Sequence, residues 1–325
     1  MKGLSRRESL HDLGAGLGVL AIGALTLGGC HTASTKRLRV GSQRGGAKAL
    51  VRASGVLAGA DYEVEWAEFP AAQHLLEALA SNAVDIGLVG DAPYLFAYQT
   101  GKPLKAVAAR MTVPRPVGAV SLLVPKGSPI RSPADLKGRR IATGRGSIGH
   151  FLTLKVLEKS GIRPGEAKLV FLAPSDAGAA LRSGAVDVWS TWGSYVAAGQ
   201  AAGDRILADG YDYLPNACSF DVAHEAVLRD KPAILADFLA REAKAMIWRK
   251  DHIEAYAKSL AAETGLPLPI ALVTATRAAY VDAPITSQLV SAQQSILDTF
   301  VAAGELVAKR PIRDGYVLAG DWPKG

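Results

Sequence analysis

Leu79-Ala80-Ser81-Asn82-Ala83-Val84-Asp85-Ile86 is answered 102 positions later by Leu181-Arg182-Ser183-Gly184-Ala185-Val186-Asp187-Val188. Each copy ends a helical run, turns on small polar residues and opens a β-branched strand. The same offset carries Phe69 onto Phe171, and the strand at 37–41 onto 139–143. One octapeptide is within reach of chance. A single register across three strands predicts two α/β lobes of like topology. Around the first copy, residues 37–42 and 62–69 alternate apolar and polar as half-buried strands, and 84–89 is a short buried strand. Residues 47–57 and 72–80 read as helices, the second with Leu75, Leu76 and Leu79 on one face.

Two apolar strands mark where the chain passes between lobes. One, around Leu122, closes at Pro125 and Gly127; the other, 219–223, contains Asp221. Beyond about residue 231 the pattern is helical, with long amphipathic runs at 233–250 and 287–303. The expected organisation is therefore 37–121 and 222–325 in lobe one and 122–221 in lobe two. Each lobe has βαβ crossovers and a ligand-facing edge at its strand C-termini. Two crossover strands make a hinge, and a hinge between lobes makes a clamp.

With 325 residues, 49% hydrophobic and 21% charged, the chain is long enough and apolar enough to bury two cores. Its net charge of +7 is scattered, the densest cluster being Lys137, Arg139 and Arg140, so no nucleic-acid partner is expected. Two cysteines, Cys30 and Cys218, exclude a disulfide scaffold and any multi-cysteine metal site.

The first thirty residues read as an address. Ser5-Arg6-Arg7-Glu8-Ser9-Leu10 has the form of a twin-arginine export motif, and an uncharged Gly/Ala-rich run follows to Leu27-Gly28-Gly29-Cys30. That ending resembles a lipobox, with Cys30 the lipidated residue. A signal peptide over 1–29, a linker over 30–36 and a lipid-anchored, extracytoplasmic protein are expected. The leader holds three basic and two acidic residues, so its removal leaves +6. Cys218, then without a partner, is expected to be a small buried residue.

The candidate site lies on the strand-to-helix loops. Gly144-Arg145-Gly146-Ser147-Ile148-Gly149 is a literal G-x-G-x-x-G between strand and helix. A dinucleotide site would need an acidic residue closing the next strand, and that strand ends in Ala173-Pro174. What survives is an anion cradle of amides at a helix start, with Ser147 as a donor and His150 behind it. Lobe one offers Gln43 after its first strand and Gly90-Asp91-Ala92 after its third, with Asp91 as the helix N-cap. Trp189 and Trp192, flanking Thr191, are expected to wall an apolar tail pocket. Arg115 has the chemistry to bind an oxyanion, although a solvated loop arginine is the simpler reading. No H-E-x-x-H, G-x-S-x-G or Walker lysine occurs, and the six histidines stand singly. Neither an enzyme nor a metal or other cofactor is expected.

Several segments together carry a family resemblance. They include Val64-Glu65-Trp66-Ala67-Glu68-Phe69-Pro70, Val84-Asp85-Ile86-Gly87 running to Gly90-Asp91-Ala92-Pro93, and Leu123-Val124-Pro125-Lys126-Gly127-Ser128-Pro129-Ile130. Asp135-Leu136-Lys137-Gly138, Leu172-Ala173-Pro174-Ser175-Asp176-Ala177 and Val186-Asp187-Val188-Trp189 continue it. From about Leu38 to Ala303 the chain resembles the substrate-binding proteins of ABC importers in the nitrate/sulfonate/taurine group, most of all the aliphatic-sulfonate binders. The resemblance implies a two-lobed periplasmic-binding fold of the Venus-flytrap type. It also implies a monomer that passes a small organosulfur anion to a membrane permease. The ligand-binding residues then expected are Gln43, Gly90, Asp91, Ala92, Ser147, Ile148, Gly149, His150, Trp189, Thr191, Trp192 and Asp221. Sulfonate-binding relatives usually carry Asn at the position of Ile148, and Asp-Pro where this chain has Gly193-Ser194. Nitrate, taurine or a thiamine precursor are the alternative ligands within the group, and an exported enzyme on the same fold is the alternative outside it.

Overall fold

The sequence echo is realised as one clamp used twice. In the computed structural model, which describes residues 36–44, 46–214 and 218–322, Arg39 donates to Asp85 from its backbone N–H (2.8 Å) and its Nε (3.1 Å). Its Nη1 donates to the Asn82 carbonyl at 2.7 Å. Arg140 repeats the contacts with Asp187 at 2.8 and 3.1 Å, and with the Gly184 carbonyl at 2.9 Å. Asn82 and Gly184 both lie at positive φ, 55° and 74°, where glycine is unstrained and asparagine is among the better tolerated residues. Burial alone would raise the Asp85 pKa. Hydrogen bonds from Arg39 and Lys231 hold it below its ordinary 3.8.

The chain forms eleven strands among the described residues: β1 Arg37–Gln43, β2 Glu63–Phe69, β3 Ile86–Gly90, β4 Leu104–Thr112, β5 Val120–Val124, β6 Arg140–Thr143, β7 Lys168–Phe171, β8 Val188–Trp192, β9 Arg205–Asp209, β10 Cys218–His224 and β11 Tyr280–Ala283. The helices are α1 Ala47–Ser54, α2 Ala72–Ala80, α3 Asp91–Gln99, α4 Ile148–Lys159, α5 Pro174–Arg182, α6 Ser194–Ala201, α7 Gly210–Tyr213, α8 Glu225–Asp230, α9 Pro232–Arg249, α10 Ile253–Thr264, α11 Leu268–Arg277, α12 Ser287–Ala292 and α13 Gln294–Ala302. One sheet has the order β11-β4-β10-β3-β1-β2 and the other β7-β6-β8-β5-β9. In each, parallel βαβ units lie beside antiparallel strands.

Four expectations change. The offset between the copies is not constant: Val40 pairs with Trp66 and Ile86, and Ile141 with Leu169 and Val188. The strands are thus offset by 101, 103 and 102 positions, and Phe171 corresponds to Glu68 rather than Phe69. Loops absorb the differences, since a strand cannot slip by one residue without turning its side chains to the other face. Second, β10 lies whole in the six-stranded sheet, so no lobe boundary falls between residues 221 and 222. β5, with Leu122, lies whole in the five-stranded sheet and β10, with Asp221, whole in the six-stranded one, so neither strand crosses between sheets. Third, the C-terminal helical stretch contains β11, which extends the first sheet beside β4. Fourth, the run at 287–303 is two helices broken at Gln293.

Packing in the first lobe relies on two glycines. Leu75, Leu76 and Leu79 of α2 are almost fully buried. A Cβ on Gly41 would stand 2.1 Å from Leu75 Cδ1, and one on Gly87 2.9 Å from Leu75 Cδ2. Bare backbone in β1 and β3 therefore lets α2 seat its leucines directly on the sheet. The readings of Cys30, Arg6 and Arg7 lie outside the described residues.

Candidate functional site

A cavity of about 250 Å³ collects the ends of both sheets. From the first it takes Gln43 at the end of β1 and Gly90-Asp91 at the β3–α3 junction; from the second, Ile148 at the start of α4 and Trp192-Gly193-Ser194 at the β8–α6 junction. The chain comes together across the cleft outside it as well. Tyr195 Oη donates to the Pro70 carbonyl at 3.1 Å, Gln73 Nε2 to the Arg145 carbonyl at 3.0 Å, and Arg145 pairs with Glu305 at 2.7 Å.

The α3 junction differs in detail from expectation. Gly90 is the N-cap, with extended backbone, and Asp91 is the first helical residue. Asp91 is buried, and its Oδ1 accepts from the Ala92 N–H at 2.7 Å. Burial outweighs that hydrogen bond and pushes its carboxyl up to about 7. Ala92 is buried and does not line the cavity. Gln43 lines it while its Nε2 donates to the Leu88 carbonyl at 2.8 Å.

On the α4 side the structure separates the predicted residues. Ser147 is the N-cap; its Oγ accepts from the His150 N–H at 3.1 Å and lies 3.3 Å from Thr143 Oγ1. Ser147 is buried behind the cavity wall rather than in it. His150 is buried too: its Nδ1 accepts from the Gly146 N–H at 3.1 Å, and Phe171 and Phe300 meet its ring edge-on. Its Nε2 has no partner among the described residues. Burial, with a smaller contribution from the Arg145 charge, lowers its pKa to about 3, so the ring is neutral and unsuited to bind an anion by charge. Gly149 is a packing position. A Cβ there would stand 2.8 Å from both the Ser190 carbonyl and Thr143 Oγ1. Ile148 alone of the four reaches the cavity.

The two tryptophans part company. Side chains three apart on a strand leave by opposite faces. Trp192 lines the cavity, whereas Trp189 packs in the lobe-two core with Ala177, Leu181 and Val196. Thr191 is buried, lies outside the cavity, and its hydroxyl has no partner among the described residues. Asp221 is also displaced from its expected role. It belongs to a buried cluster in which Arg110 holds Asp221 (2.8 Å), Glu242 (3.1 Å) and Asp282. Glu242 extends from that cluster to the cavity wall; burial, with the Asp221 charge beside it, pushes its carboxyl above the ordinary value.

Residues from the C-terminal helices complete the wall and were not legible as site residues. Glu242 and Met246 come from α9, Tyr256 from α10, Thr274 and Arg277 from α11, and Tyr280 from β11. Arg44, Arg115 and Cys218 line it as well. Arg115 donates to the Leu214 carbonyl at 2.6 Å and stacks on Tyr211, so it is a placed side chain and not a solvated one. Burial pushes the Cys218 thiol well up, with the Asp91 charge adding to the rise. No group of three metal-ligating side chains occurs among the described residues.

Residues 53–254 match the NMT1/THI5-like family. This chain belongs to that family. Among its relatives is a protein of Escherichia coli (strain K12) described as aliphatic sulfonates-binding. It is 32% identical over 278 residues, spanning 82% of this chain and 84% of that one. The alkanesulfonate-binding protein SsuA from Xanthomonas axonopodis pv. citri, solved with MOPS bound, superposes with a TM-score of 0.80 at 30% identity. That match covers 87% of this chain and 99% of that structure. The periplasmic aliphatic sulphonate-binding protein SsuA from Escherichia coli gives 0.75 at 31% identity, covering 86% and 91%. This member of the NMT1/THI5-like family therefore has the two-lobed periplasmic-binding fold, its cavity lying where the two sheets' strand ends converge.

Proposed function

We propose that this protein is the extracytoplasmic solute-binding component of an ABC importer, and that it captures an aliphatic sulfonate and delivers it to the permease. The observation that carries this reading is the cavity itself, walled by helix starts from both sheets, α1 and α3 from the first and α4, α6 and α7 from the second, and by Trp192. Amides at a helix start favour an anion. The remaining wall, with Leu50, Leu88, Val120, Leu214 and Met246, suits an alkyl body. A cavity of about 250 Å³ has room for an alkyl chain beside an anionic head group. Binding rather than catalysis is the reading that the relatives favour. The relatives described above bear the names of binding proteins.

The test is titration calorimetry of the mature chain with methanesulfonate through octanesulfonate, alongside nitrate and taurine. Affinity should rise about fourfold per methylene until the cavity is full, at ~0.8 kcal/mol for each buried CH₂. Nitrate binding as tightly as hexanesulfonate, or no heat with any sulfonate, would refute the reading.

The address at the N-terminus completes the proposal. Twin-arginine export and lipid attachment at Cys30 would hold a monomer at the outer side of the cytoplasmic membrane or at the cell surface. Replacing Cys30 by Ser should then release the protein from membranes after a high-salt wash, and its retention would rule out the anchor. The cross-cleft bonds of Tyr195, Gln73 and Arg145 are the contacts that closure around ligand would make and opening would break. Small-angle scattering should therefore show a smaller radius with a saturating sulfonate.

A further inference from the structure

Arg277 ends α11 on the cavity wall, and nothing in the proposed function uses it. Its Nη2 donates to Gln200 Oε1 at 3.1 Å across the cleft, while its Nη1 is buried with no hydrogen-bond partner among the described residues. No ion pair involving Arg277 occurs there either; Asp209 acts on it through charge alone, its own oxygens being taken by Gly118 N–H, Ser121 Oγ and Tyr211 N–H. The fold makes room for the guanidinium. Gly118, at φ 76°, lies so close that a Cβ there would stand 2.5 Å from Arg277 Nη2. A buried N–H of a charged group left unpaired is costly, and such groups are ordinarily matched by an anion.

The cavity's charge points the same way. Three guanidiniums line it, those of Arg44, Arg115 and Arg277, and arginine keeps its charge at any physiological pH. Two carboxyls line it as well, Asp91 and Glu242, and Glu242 is engaged with Arg110. Position matters too. In the sheet order β11-β4-β10-β3, three strand spacings, about 14 Å, separate the α3 junction at the end of β3 from the β11 edge next to Arg277. Asp91 at one end of that span and Arg277 and Tyr280 at the other line the same cavity, so a single ligand in it can meet both.

We propose that Arg277 forms a second anion subsite, so that the preferred ligand is a bifunctional sulfonate with a carboxylate or second sulfonate at its far end. The proposal rests on the sulfonate-binding reading above and names the ligand class within it. Arg277 is then the residue that separates dianions from simple alkanesulfonates. It discriminates in the way polar pockets do, because a ligand without the second anion leaves its N–H unpaired.

The experiment compares 4-sulfobutanoate with 1-butanesulfonate by titration calorimetry, on the wild-type chain and on Arg277→Ala, Arg277→Lys and Gln200→Ala. The wild type should prefer the dianion by about tenfold to a hundredfold, as one charge-assisted hydrogen bond allows. Arg277→Ala should erase most of that preference, and Arg277→Lys should keep part of it. Gln200→Ala, which removes only the cross-cleft bond, should leave the preference intact. Melting curves of each variant confirm that it is folded. Equal wild-type affinity for the two probes overturns the proposal. So does an equal proportional loss for both probes in Arg277→Ala and Gln200→Ala, since that is the behaviour of a cleft clasp. Failure of the wild type to bind either probe removes the sulfonate reading itself, whereas binding without preference removes only the second subsite.

Discussion

Asp91→Asn should stabilise the protein, and by an amount that grows with pH. The carboxyl is buried at the first residue of α3, where a helix dipole and the Ala92 N–H both favour its charged form. Burial nevertheless wins and lifts it from the ordinary 3.8 to about 7. The folded state therefore binds the proton more tightly than the unfolded chain does. Stability is full below pH 4, falls as pH rises through the interval from about 4 to 7, and stays lowered above it. Each tenfold gain in proton affinity is worth ~1.36 kcal/mol, so the ionised group costs about 4 kcal/mol at pH 8.5, against about 1.5 kcal/mol at pH 5. Asparagine keeps an acceptor for Ala92 and carries no charge. Urea unfolding of both proteins at the two pH values should thus show a gain that is about 2.5 kcal/mol larger at pH 8.5. Glu242 titrates in both proteins and cancels in the difference. The same group links binding to protons: an anion seated at the α3 start meets repulsion from ionised Asp91. Sulfonate affinity should therefore fall between pH 6 and 9, by up to about a hundredfold, and Asp91→Asn should flatten that profile. A stability difference independent of pH would refute the assignment of a buried, proton-holding carboxyl.

Trp189→Ala should cost about 3–5 kcal/mol of stability, as removal of a buried aromatic does, and leave sulfonate affinity nearly unchanged. Trp192→Ala should do the reverse, weakening a long-chain sulfonate with a smaller loss in melting temperature; calorimetric binding and melting data on both variants test the pair. Ile148→Asn should improve methanesulfonate binding and weaken octanesulfonate, because it trades apolar wall for a hydrogen-bonding group. A shift in the same direction for both ligands would mean that Ile148 does not contact the tail.

Local grammar made much of this molecule readable. A strand, a tight turn on glycine or serine and a helix are neighbours in sequence. Thus β3 with α3, and β6 with α4, were legible from a few residues each, whereas the clamps of Asp85 with Arg39 and Asp187 with Arg140 emerged only when the strands paired. The two-lobed repeat was legible from the same local grammar, although its register was not: loop insertions of one residue are invisible until strands pair. Alternation along β8 sends Trp189 and Trp192 out by opposite faces, against the expectation that both wall the pocket. Only packing decided that α5 and α6 cover the first and leave the second to the cavity. The short edge strand β11 has four residues and no alternation strong enough to declare itself; its pairing with β4 makes it a strand. Arg110, Asp221, Glu242 and Asp282 come from four elements spread over more than half the chain, and Arg277 reaches Gln200 from the opposite lobe. No pattern within a window of sequence holds such contacts. They arise because α9, α10 and α11 fold back onto the first sheet and close the cavity that the strand ends leave open. The sequence by itself therefore determined the lobes and the helix starts that frame the site, and the tertiary structure decided which charges face into it.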